Sequence, residues 1–350
     1  MAAARVRSGG RPTLEEVAAR AGVGRGTASR VINGSPRVSA QTREAVEAAV
    51  AELGYVPNRA ARAARALAGN RTDAIALVVP ESETRFFAEP YFSDIVRGVG
   101  AALADTEMQL LLTLAGNDRE RRRLAQYLTA HRVDGVLLVS VHADDPLPDL
   151  LEQLGMPSVI SGRRHAAETL PSVDSDNFEG ARAAVDHFIS RGRRTIATIT
   201  GRLDVYGAQR RLDGYRKAVA SAGLDPDERL IAPADFSEEG GARAMRELLA
   251  RRPDVDAVFA ASDVMAAGAR HVLRESGRRI PDDVALIGFD DSAVARHMDP
   301  PLTSVRQPIE EMGRMMASVL LQEIAHRSEG RTEERPRIVL PTELVVRESS

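Results

Sequence analysis

The chain has 350 residues, of which 43% are hydrophobic and 28% charged, so it is long enough for two or three folded domains and is not of a disordered or fibrous type. It contains no cysteine, which excludes disulfide bonds, thiol nucleophiles and cysteine-ligated metal clusters. There is no apolar segment of signal-peptide length at the N-terminus, and no apolar run approaches the about 18 residues that cross a bilayer. These features predict a cytoplasmic protein with no membrane contact.

Charge is distributed unevenly along the chain. Residues 1–72 carry twelve arginines and five glutamates, a net charge of +7, and because the whole chain carries −3 the remainder carries −10. A small basic segment attached to a large acidic body predicts a polyanionic partner for the basic segment alone.

The N-terminal part of the chain predicts an arm followed by three short helices. Residues 1–11 are rich in glycine, serine and arginine, which is typical of a disordered arm. Thr13 and Glu16 form a capping box that starts the first helix. A second helix is predicted at about Arg25–Asn33 and a third at about Ser39–Leu53. Three such helices can share one small core but cannot enclose a pocket.

The next segment has strong helix propensity and little to bury. Residues 59–68 consist of alanine and arginine apart from Leu67, so a helix here is predicted to be marginal alone and to fold only when docked.

From Asp73 onward, short β-rich runs alternate with helical stretches. This alternation, with nearly continuous apolar strands, predicts parallel sheets covered on both faces by helices. The length of this part of the chain favours two lobes, with the chain passing from the first lobe to the second near residues 161–174. Strands are predicted at 74–79, 109–114, 135–140, 158–161, 195–200, 257–261 and 284–289, with a final helix at 308–325 and a final strand at 337–346.

The first two predicted helices and their glycine-containing turn indicate a helix-turn-helix, whose second helix places its N-terminal residues on base edges in the major groove. Arg25 and Arg30 on this helix could each make a bidentate contact with guanine. Short polar side chains suited to DNA phosphates are predicted at Thr13, Thr27, Ser29 and Asn33.

The run T-L-E-E-V-A-A-R-A-G-V-G-R-G-T-A-S-R-V-I-N (13–33), with V-S-A-Q-T-R-E (38–44) and L-G-Y-V-P-N-R (53–59), resembles the headpiece of the LacI/GalR family of bacterial repressors. Downstream, R-L-D-G-Y (211–215), A-S-D-V-M-A-A-G (261–268) and I-P-D-D-V-A-L-I-G-F-D-D (280–291) resemble its two-lobed sugar-binding core. The resemblance implies a small all-α helix-turn-helix headpiece joined to a periplasmic-binding-protein-like α/β core of two parallel, doubly wound sheets. The implied boundaries are a disordered arm at 1–11, the headpiece at 12–56, a hinge helix at 57–72, an N-terminal lobe at 73–173 and 304–331, and a C-terminal lobe at 174–303 and 332–350.

The resemblance also assigns DNA contacts outside the second helix. Leu67 corresponds to the leucine that enters a minor-groove step and kinks the DNA. The chain departs from the family pattern at Gly26, which lacks a base-reading side chain, and between Arg59 and Leu67, which are separated by about three extra residues. The other implied contacts are Leu14, Ser39, Thr42, Asn58 and Arg59.

A sugar site is implied between the lobes, where strand carboxyl ends meet. The family positions make Arg211 and Asp290 paired clamps for hydroxyl groups, and Phe236 a stacking surface. Simple core packing is the alternative for Phe92 and Phe236, and a helix N-cap is the alternative for Asp290. The remaining candidates are Tyr91, Phe92, Arg163, Ser262 and Gln307.

The predicted function is a homodimeric, non-enzymatic repressor that binds a pseudo-palindromic double-stranded operator and is released by a small sugar. No cofactor, metal site or catalytic residue is predicted. The resemblance to actinobacterial members favours cellobiose or a related oligosaccharide as the effector. A sugar-binding transport protein, a regulator with a non-sugar corepressor and a sugar-active enzyme remain the alternatives.

Overall fold

The computed structural model describes residues 12–32, 38–55, 72–224, 227–328 and 335–350. The chain forms two compact units that divide between Thr72 and Asp73. The predicted arm (1–11) and nearly all of the predicted hinge (57–71) lie outside the described residues. None of the described helices is long and apolar enough to span a membrane.

The first unit contains three helices, close to the predicted bounds: α1 (Leu14–Arg20), α2 (Arg25–Ile32) and α3 (Ala40–Leu53). The capping box is present, since the Thr13 amide donates to the Glu16 carboxylate at 2.8 Å and the Thr13 hydroxyl accepts from the Glu16 amide. Ser39 caps α3 in a similar manner. Each cap satisfies amide groups that a helix start leaves unpaired, so these ends are well defined by the sequence.

A small apolar core holds the three helices together. Val17, Ala28 and Val46, one from each helix, are fully buried within it. An ion pair between the exposed side chains of Arg20 and Glu52 also joins α1 to α3, with Nε and Oε1 3.0 Å apart. The headpiece therefore has a core of its own.

The second unit is built on two six-stranded sheets. Sheet A has the order β11-β5-β4-β3-β1-β2, and sheet B has the order β12-β10-β9-β8-β6-β7. All neighbours are parallel except β10 and β12. The strands are β1 (Ala74–Val79), β2 (Gln109–Leu114), β3 (Gly135–Leu138), β4 (Ser158–Ser161), β5 (Ser172–Ser175), β6 (Ile196–Thr200), β7 (Ile231–Pro233), β8 (Ala257–Ala260), β9 (Ala285–Asp290), β10 (Thr303–Arg306), β11 (Arg337–Leu340) and β12 (Glu343–Val345).

Helices cover both faces of each sheet, which confirms the predicted two-lobed α/β core. Strands β1, β3, β8 and β9 are almost wholly buried, as parallel strands between helical layers are. The helices are α4 (Glu83–Ala88), α5 (Pro90–Leu103), α6 (Asp118–Thr129), α7 (Leu147–Gln153), α8 (Asn177–Ser190), α9 (Tyr206–Ser221), α10 (Glu238–Arg251), α11 (Asp263–Glu275), α12 (Ala293–His297) and α13 (Ile309–Ser328).

The chain crosses from one lobe to the other at three places: after β5, after β10 and between β11 and β12. The predicted lobe boundaries differ from this arrangement. Residues 303–306 pair with β9 and belong to the C-terminal lobe, whereas residues 337–340 pair with β5 and belong to the N-terminal lobe. The single strand predicted at 337–346 is thus two strands in different sheets. Pro341 separates them because proline has no amide hydrogen to continue the ladder.

Helices α5 and α13 pack closely across one face of sheet A. A Cβ atom added at Gly98 would overlap the carbonyl oxygen of Glu310, whereas one added at Gly100 would meet no atom within 4 Å. The small residue at position 98 thus permits the close approach of the two helices.

We expect Gly98→Ala to destabilise the core by about 1–3 kcal/mol, because the helices must separate to accommodate the methyl group. Gly100→Ala, on the exposed side of the same helix, is the matched control and should stabilise by up to about 1 kcal/mol through helix propensity. Urea unfolding followed by circular dichroism measures both. Equal effects of the two substitutions would contradict the close packing.

Candidate DNA-binding surface and interlobe cleft

Helix α2 has one buried and one exposed face in the headpiece. Ala28 and Val31 are buried, whereas Arg25 and Arg30 are exposed and Thr27 and Ser29 are partly exposed. The Arg25 guanidinium lies 3.0 Å from the exposed carboxylate of Glu15. An exposed ion pair of this kind contributes little stability, so Arg25 can exchange its partner for a phosphate or a base.

Several other predicted DNA contacts have structural roles within the headpiece. Thr13 and Ser39 are helix caps, the hydroxyls of Ser39 and Thr42 lie 2.8 Å apart, and Leu14 packs partly buried against the core. Their DNA contacts remain predictions. Asn33, Asn58, Arg59 and Leu67 lie outside the described residues.

A cleft lies between the lobes of the second unit and contains about 690 Å³ of empty space, including the part open to solvent. Seven of the eight predicted ligand residues line it, which are Tyr91, Phe92, Arg163, Arg211, Phe236, Asp290 and Gln307. Residues from both sheets contribute at or after strand carboxyl ends, where parallel α/β sheets bind ligands.

Arg211, on α9, is the buried cation at the base of the cleft. Its Nε donates to Asn177 Oδ1 at 2.7 Å, and its Nη1 donates to the carbonyl oxygen of Ala261. The guanidinium stacks on the Phe289 ring with its central carbon 3.8 Å from the ring centroid. Burial lowers the pKa of Arg211, and the nearby carboxylate of Asp290 opposes this shift. The side chain is therefore held in a fixed orientation by contacts within the protein.

Asp290, at the end of β9, is the principal carboxylate facing Arg211. Its Oδ1 accepts a hydrogen bond of 2.6 Å from Gln307 Nε2 and lies 3.9 Å from Arg211 Nη1. Gln307 in turn accepts from the Ser175 hydroxyl, so the amide is held from both sides. Burial raises the pKa of Asp290 well above its usual range. The alternative role of helix N-cap is not seen, because Ser292 precedes α12.

Asp174 is a second carboxylate in the cleft, contributed by β5 of the other sheet. Its Oδ1 accepts from the Ser175 amide at 2.8 Å and from Asn177 Nδ2 at 3.0 Å. Burial raises the pKa of Asp174 to about 6. Among the described residues, Arg163 has a buried Nε without a hydrogen-bond partner. A buried unsatisfied donor is costly, and a ligand oxygen in the cleft would relieve this cost.

Two cations contact aromatic rings of the opposite lobe. The Arg85 guanidinium lies 5.3 Å from the centroid of Phe236, and the Arg163 guanidinium lies 5.3 Å from the centroid of Tyr206. Arg85 also donates to Glu89 at 2.6 Å. Burial raises the pKa of Glu89 to about 7 against the opposing effect of Arg85.

Two predicted ligand residues have mainly structural roles. Ser262 does not line the cleft; it is buried, and its hydroxyl accepts from the Met265 amide as the N-cap of α11. Phe92 reaches the cleft wall, but only 1% of its surface is exposed and its ring packs on Phe86. Core packing, the alternative for this residue, describes it better than ligand stacking.

Sequence reasoning missed several polar residues of the cleft. Asp174 and Asn177 lie in the run D-S-D-N, which resembles the start of a calcium-binding loop but lacks the glycine that such a loop has at its sixth position. The signal that could have identified these two residues is their position where the chain crosses from one lobe to the other. The others are Arg85, Glu89, Ser140, Ser161 and Tyr206.

Relatives of the chain match it over nearly its full length. The HTH-type transcriptional regulator CelR of Thermobifida fusca is 54% identical over 341 residues, which cover 97% of this chain and 98% of that protein. The HTH-type transcriptional repressor PurR of Haemophilus influenzae (strain PittEE) is 34% identical over 340 residues, covering 96% and 98%.

Solved structures show the same architecture. A CelR–cellobiose complex superposes with a TM-score of 0.77 at 52% identity, covering 97% of this chain and all of that one. The lac repressor dimer bound to operator and the anti-inducer ONPF superposes with a TM-score of 0.82 at 28% identity, covering 97% and 99%. Residues 13–58 match the family described as bacterial regulatory proteins, lacI family, and residues 185–350 match the periplasmic binding protein-like domain. The chain is therefore a member of the LacI family of bacterial regulatory proteins.

Proposed function

We propose that the chain is a homodimeric transcriptional repressor that binds a pseudo-palindromic operator through α2 and is released by a small neutral sugar bound in the cleft. The residues that line the cleft are the main support for a sugar as the effector. Three arginines and three carboxyl groups line it, so their charges balance when all six groups are ionised. Such a set suits a ligand with many hydroxyl groups better than a phosphate or a carboxylic acid.

Cellobiose or a related oligosaccharide is the proposed effector. A CelR protein that is 52% identical to this chain has been solved as a complex with cellobiose. Tyr91, Tyr206 and Phe236 are among the residues that line the cleft, and aromatic rings can pack against the C–H faces of sugars.

The test is a DNA mobility-shift titration of the full chain with candidate operators, with and without cellobiose, and calorimetry of the sugar alone. Loss of the shifted band on addition of cellobiose supports the proposal. Sugar binding without any DNA binding would instead indicate a transport protein. DNA binding that strengthens with a non-sugar ligand would indicate a corepressor-dependent regulator, and turnover of the sugar would indicate an enzyme.

Strand β2 supports the proposal of a dimer. It forms one edge of sheet A, and Leu111 and Leu112 on this edge are 36% and 40% exposed. An exposed apolar edge strand is a template for pairing with another chain. The solved lac repressor is a dimer on its operator, and we propose that this edge of sheet A lies in the equivalent contact here.

We expect Leu112→Lys to weaken the dimer by at least about tenfold, because a lysine in an apolar contact must be desolvated. Sedimentation velocity over a concentration series measures the shift toward monomer. Leu203→Lys, at a leucine 39% exposed in the other lobe, is the control and should leave the dimer unchanged. A dimer equally stable in both variants would place the contact elsewhere.

A further inference from the structure

The charged and amide side chains of the cleft include two groups that are separate from each other. The first, called the base group here, is linked through the contacts of Arg211 and Asp290 described above. Its members are Asp174, Asn177, Arg211, Asp290 and Gln307. The second is the Arg85–Glu89 pair, in which Arg85 Nε lies 2.6 Å from Glu89 Oε1. Among the residues that the structure describes, no hydrogen bond joins the base group to this pair, although both line the same cavity.

The sheet topology places the two groups over different strand ends. In sheet A, Asp174 lies near the end of β5, whereas Arg85 and Glu89 follow β1, three strands away. In sheet B, Gln307 follows β10, whereas Phe236, which contacts Arg85, follows β7, four strands away. Neighbouring strands are about 4.8 Å apart, so the ends of β5 and β1 are separated by about 14 Å. The polar residues are thus spread over a length greater than that of a single sugar ring.

Helix α4 positions the Arg85–Glu89 pair beside the cleft. Residues four apart lie on one face of a helix, so Glu81, Arg85 and Glu89 are neighbours, and Arg85 donates to both carboxylates. On another face of α4, Phe86 is buried and its ring stacks on Phe92 in the core of the N-terminal lobe. The helix is therefore anchored on one face and contributes charged groups to the cleft on the other.

Each member of the pair retains one hydrogen-bonding atom for a ligand. Arg85 donates through Nε and Nη1, and no described residue accepts from its Nη2. Glu89 accepts from Arg85 at Oε1, and no described residue donates to its Oε2. The two side chains are only 16% and 13% exposed, so they are largely removed from bulk water. A hydroxyl group both donates and accepts, so sugar hydroxyls can donate to Glu89 Oε2 and accept from Arg85 Nη2.

We propose that the Arg85–Glu89 pair is a second subsite of the cleft, which binds hydroxyl groups on the second ring of a disaccharide while the base group binds the first ring. The inference rests on the proposed function in one respect, namely that a neutral sugar binds in the cleft. A monosaccharide held by the base group leaves the pair without a ligand, so the site selects a disaccharide over a monosaccharide. Phe236 brings the opposite lobe against this subsite, so both lobes border the second ring.

Four variants separate contact with the second ring from a general effect on the cleft. Glu89→Ala removes the acceptor and leaves Arg85 paired with Glu81. Glu89→Gln retains the length of the side chain and one oxygen but not the charge. Glu83→Ala, at an exposed position of α4, is the matched control. Asp290→Ala is the reference for the base group.

The experiment measures cellobiose affinity by calorimetry and glucose affinity by displacement of cellobiose. We expect Glu89→Ala to weaken cellobiose binding by at least about tenfold, the contribution of one hydrogen bond to a charged group, and to leave glucose binding unchanged. Glu89→Gln should lie between Glu89→Ala and wild type. Glu83→Ala should bind both sugars as wild type does, and Asp290→Ala should lose affinity for both.

An equal loss of affinity for both sugars in Glu89→Ala would indicate a role in the structure of the cleft and overturn the inference. Unchanged cellobiose binding in this variant would overturn it as well. Either result leaves the proposed function standing, since wild type still binds the sugar. If wild type binds neither sugar, the proposed function fails and the second subsite fails with it.

A crystal structure of the cellobiose complex provides an independent measurement, which does not depend on the strength of glucose binding. Oxygens of one ring within about 3.2 Å of Glu89 Oε2 or Arg85 Nη2, with the other ring on the base group, support the inference. A second ring that contacts neither Arg85 nor Glu89 would overturn it.

Discussion

Replacing Asp290 with alanine should weaken sugar binding by about 100-fold or more and leave operator binding intact. A hydrogen bond to a charged group is worth about 1.5–3 kcal/mol, and a carboxylate can accept two from neighbouring hydroxyl groups. The headpiece has its own core, so loss of the sugar response should not remove DNA binding. The repressor would then remain on its operator in the presence of the sugar.

The backbone at Asp290 requires a second variant. Its φ of 109° lies in a region that side chains other than glycine rarely adopt, so alanine could disturb the loop as well as remove the carboxylate. Asp290→Asn retains an oxygen for Gln307 and should bind sugar more weakly than wild type but better than Asp290→Ala. Asp186→Ala, at an exposed position of α8, is the matched control. Wild-type affinity in Asp290→Ala by calorimetry would refute the assignment.

Replacing Arg30 with alanine should cost about 1–3 kcal/mol on the cognate operator, the value of a bidentate contact with guanine. The side chain is exposed on α2, opposite the buried Ala28 and Val31. If it reads a base, affinity for the cognate site should fall further than affinity for unrelated DNA. Binding titrations on both sequences at several salt concentrations measure this difference.

Arg30→Lys distinguishes base reading from phosphate contact. Lysine retains the charge but not the planar pair of donors, so it should preserve phosphate binding and its salt dependence while losing discrimination between sites. An Arg30→Lys variant with full discrimination would show that Arg30 contacts only the backbone of the DNA.

The sequence predicted the helices and strands that are specified by their own residues, such as a helix cap or a long apolar run. The capping box at Thr13 and the apolar runs of β1 and β2 appear at the predicted residues, because helix caps and long apolar strands need little information from distant segments. Strands β5 and β10 were not predicted. Ser172–Ser175 and Thr303–Arg306 are short and half polar, and only neighbouring strands make them part of a sheet.

The candidate site shows a similar division. Arg211 and Asp290 were identified by family motifs, whereas Asp174 reaches the cleft because β5 lies between β4 and β11 in sheet A. That position depends on the pairing of β5 with β4 and β11 and on the crossing of the chain to the other lobe after β5, and the residue types of D-S-D-N do not indicate either. Ser262 was misassigned because a serine after a strand looks the same whether it faces a ligand or caps the following helix.

The late return of the chain to the N-terminal lobe has a consequence for synthesis on the ribosome. Sheet A lacks its outer strand until residues 337–340 emerge, and helix α13, which covers this sheet, is also made late. The headpiece, by contrast, is complete within the first 72 residues and is a compact unit of its own. The DNA-binding part can therefore fold while the sensing part is still unfinished, and both lobes must wait for the last residues before their cores close.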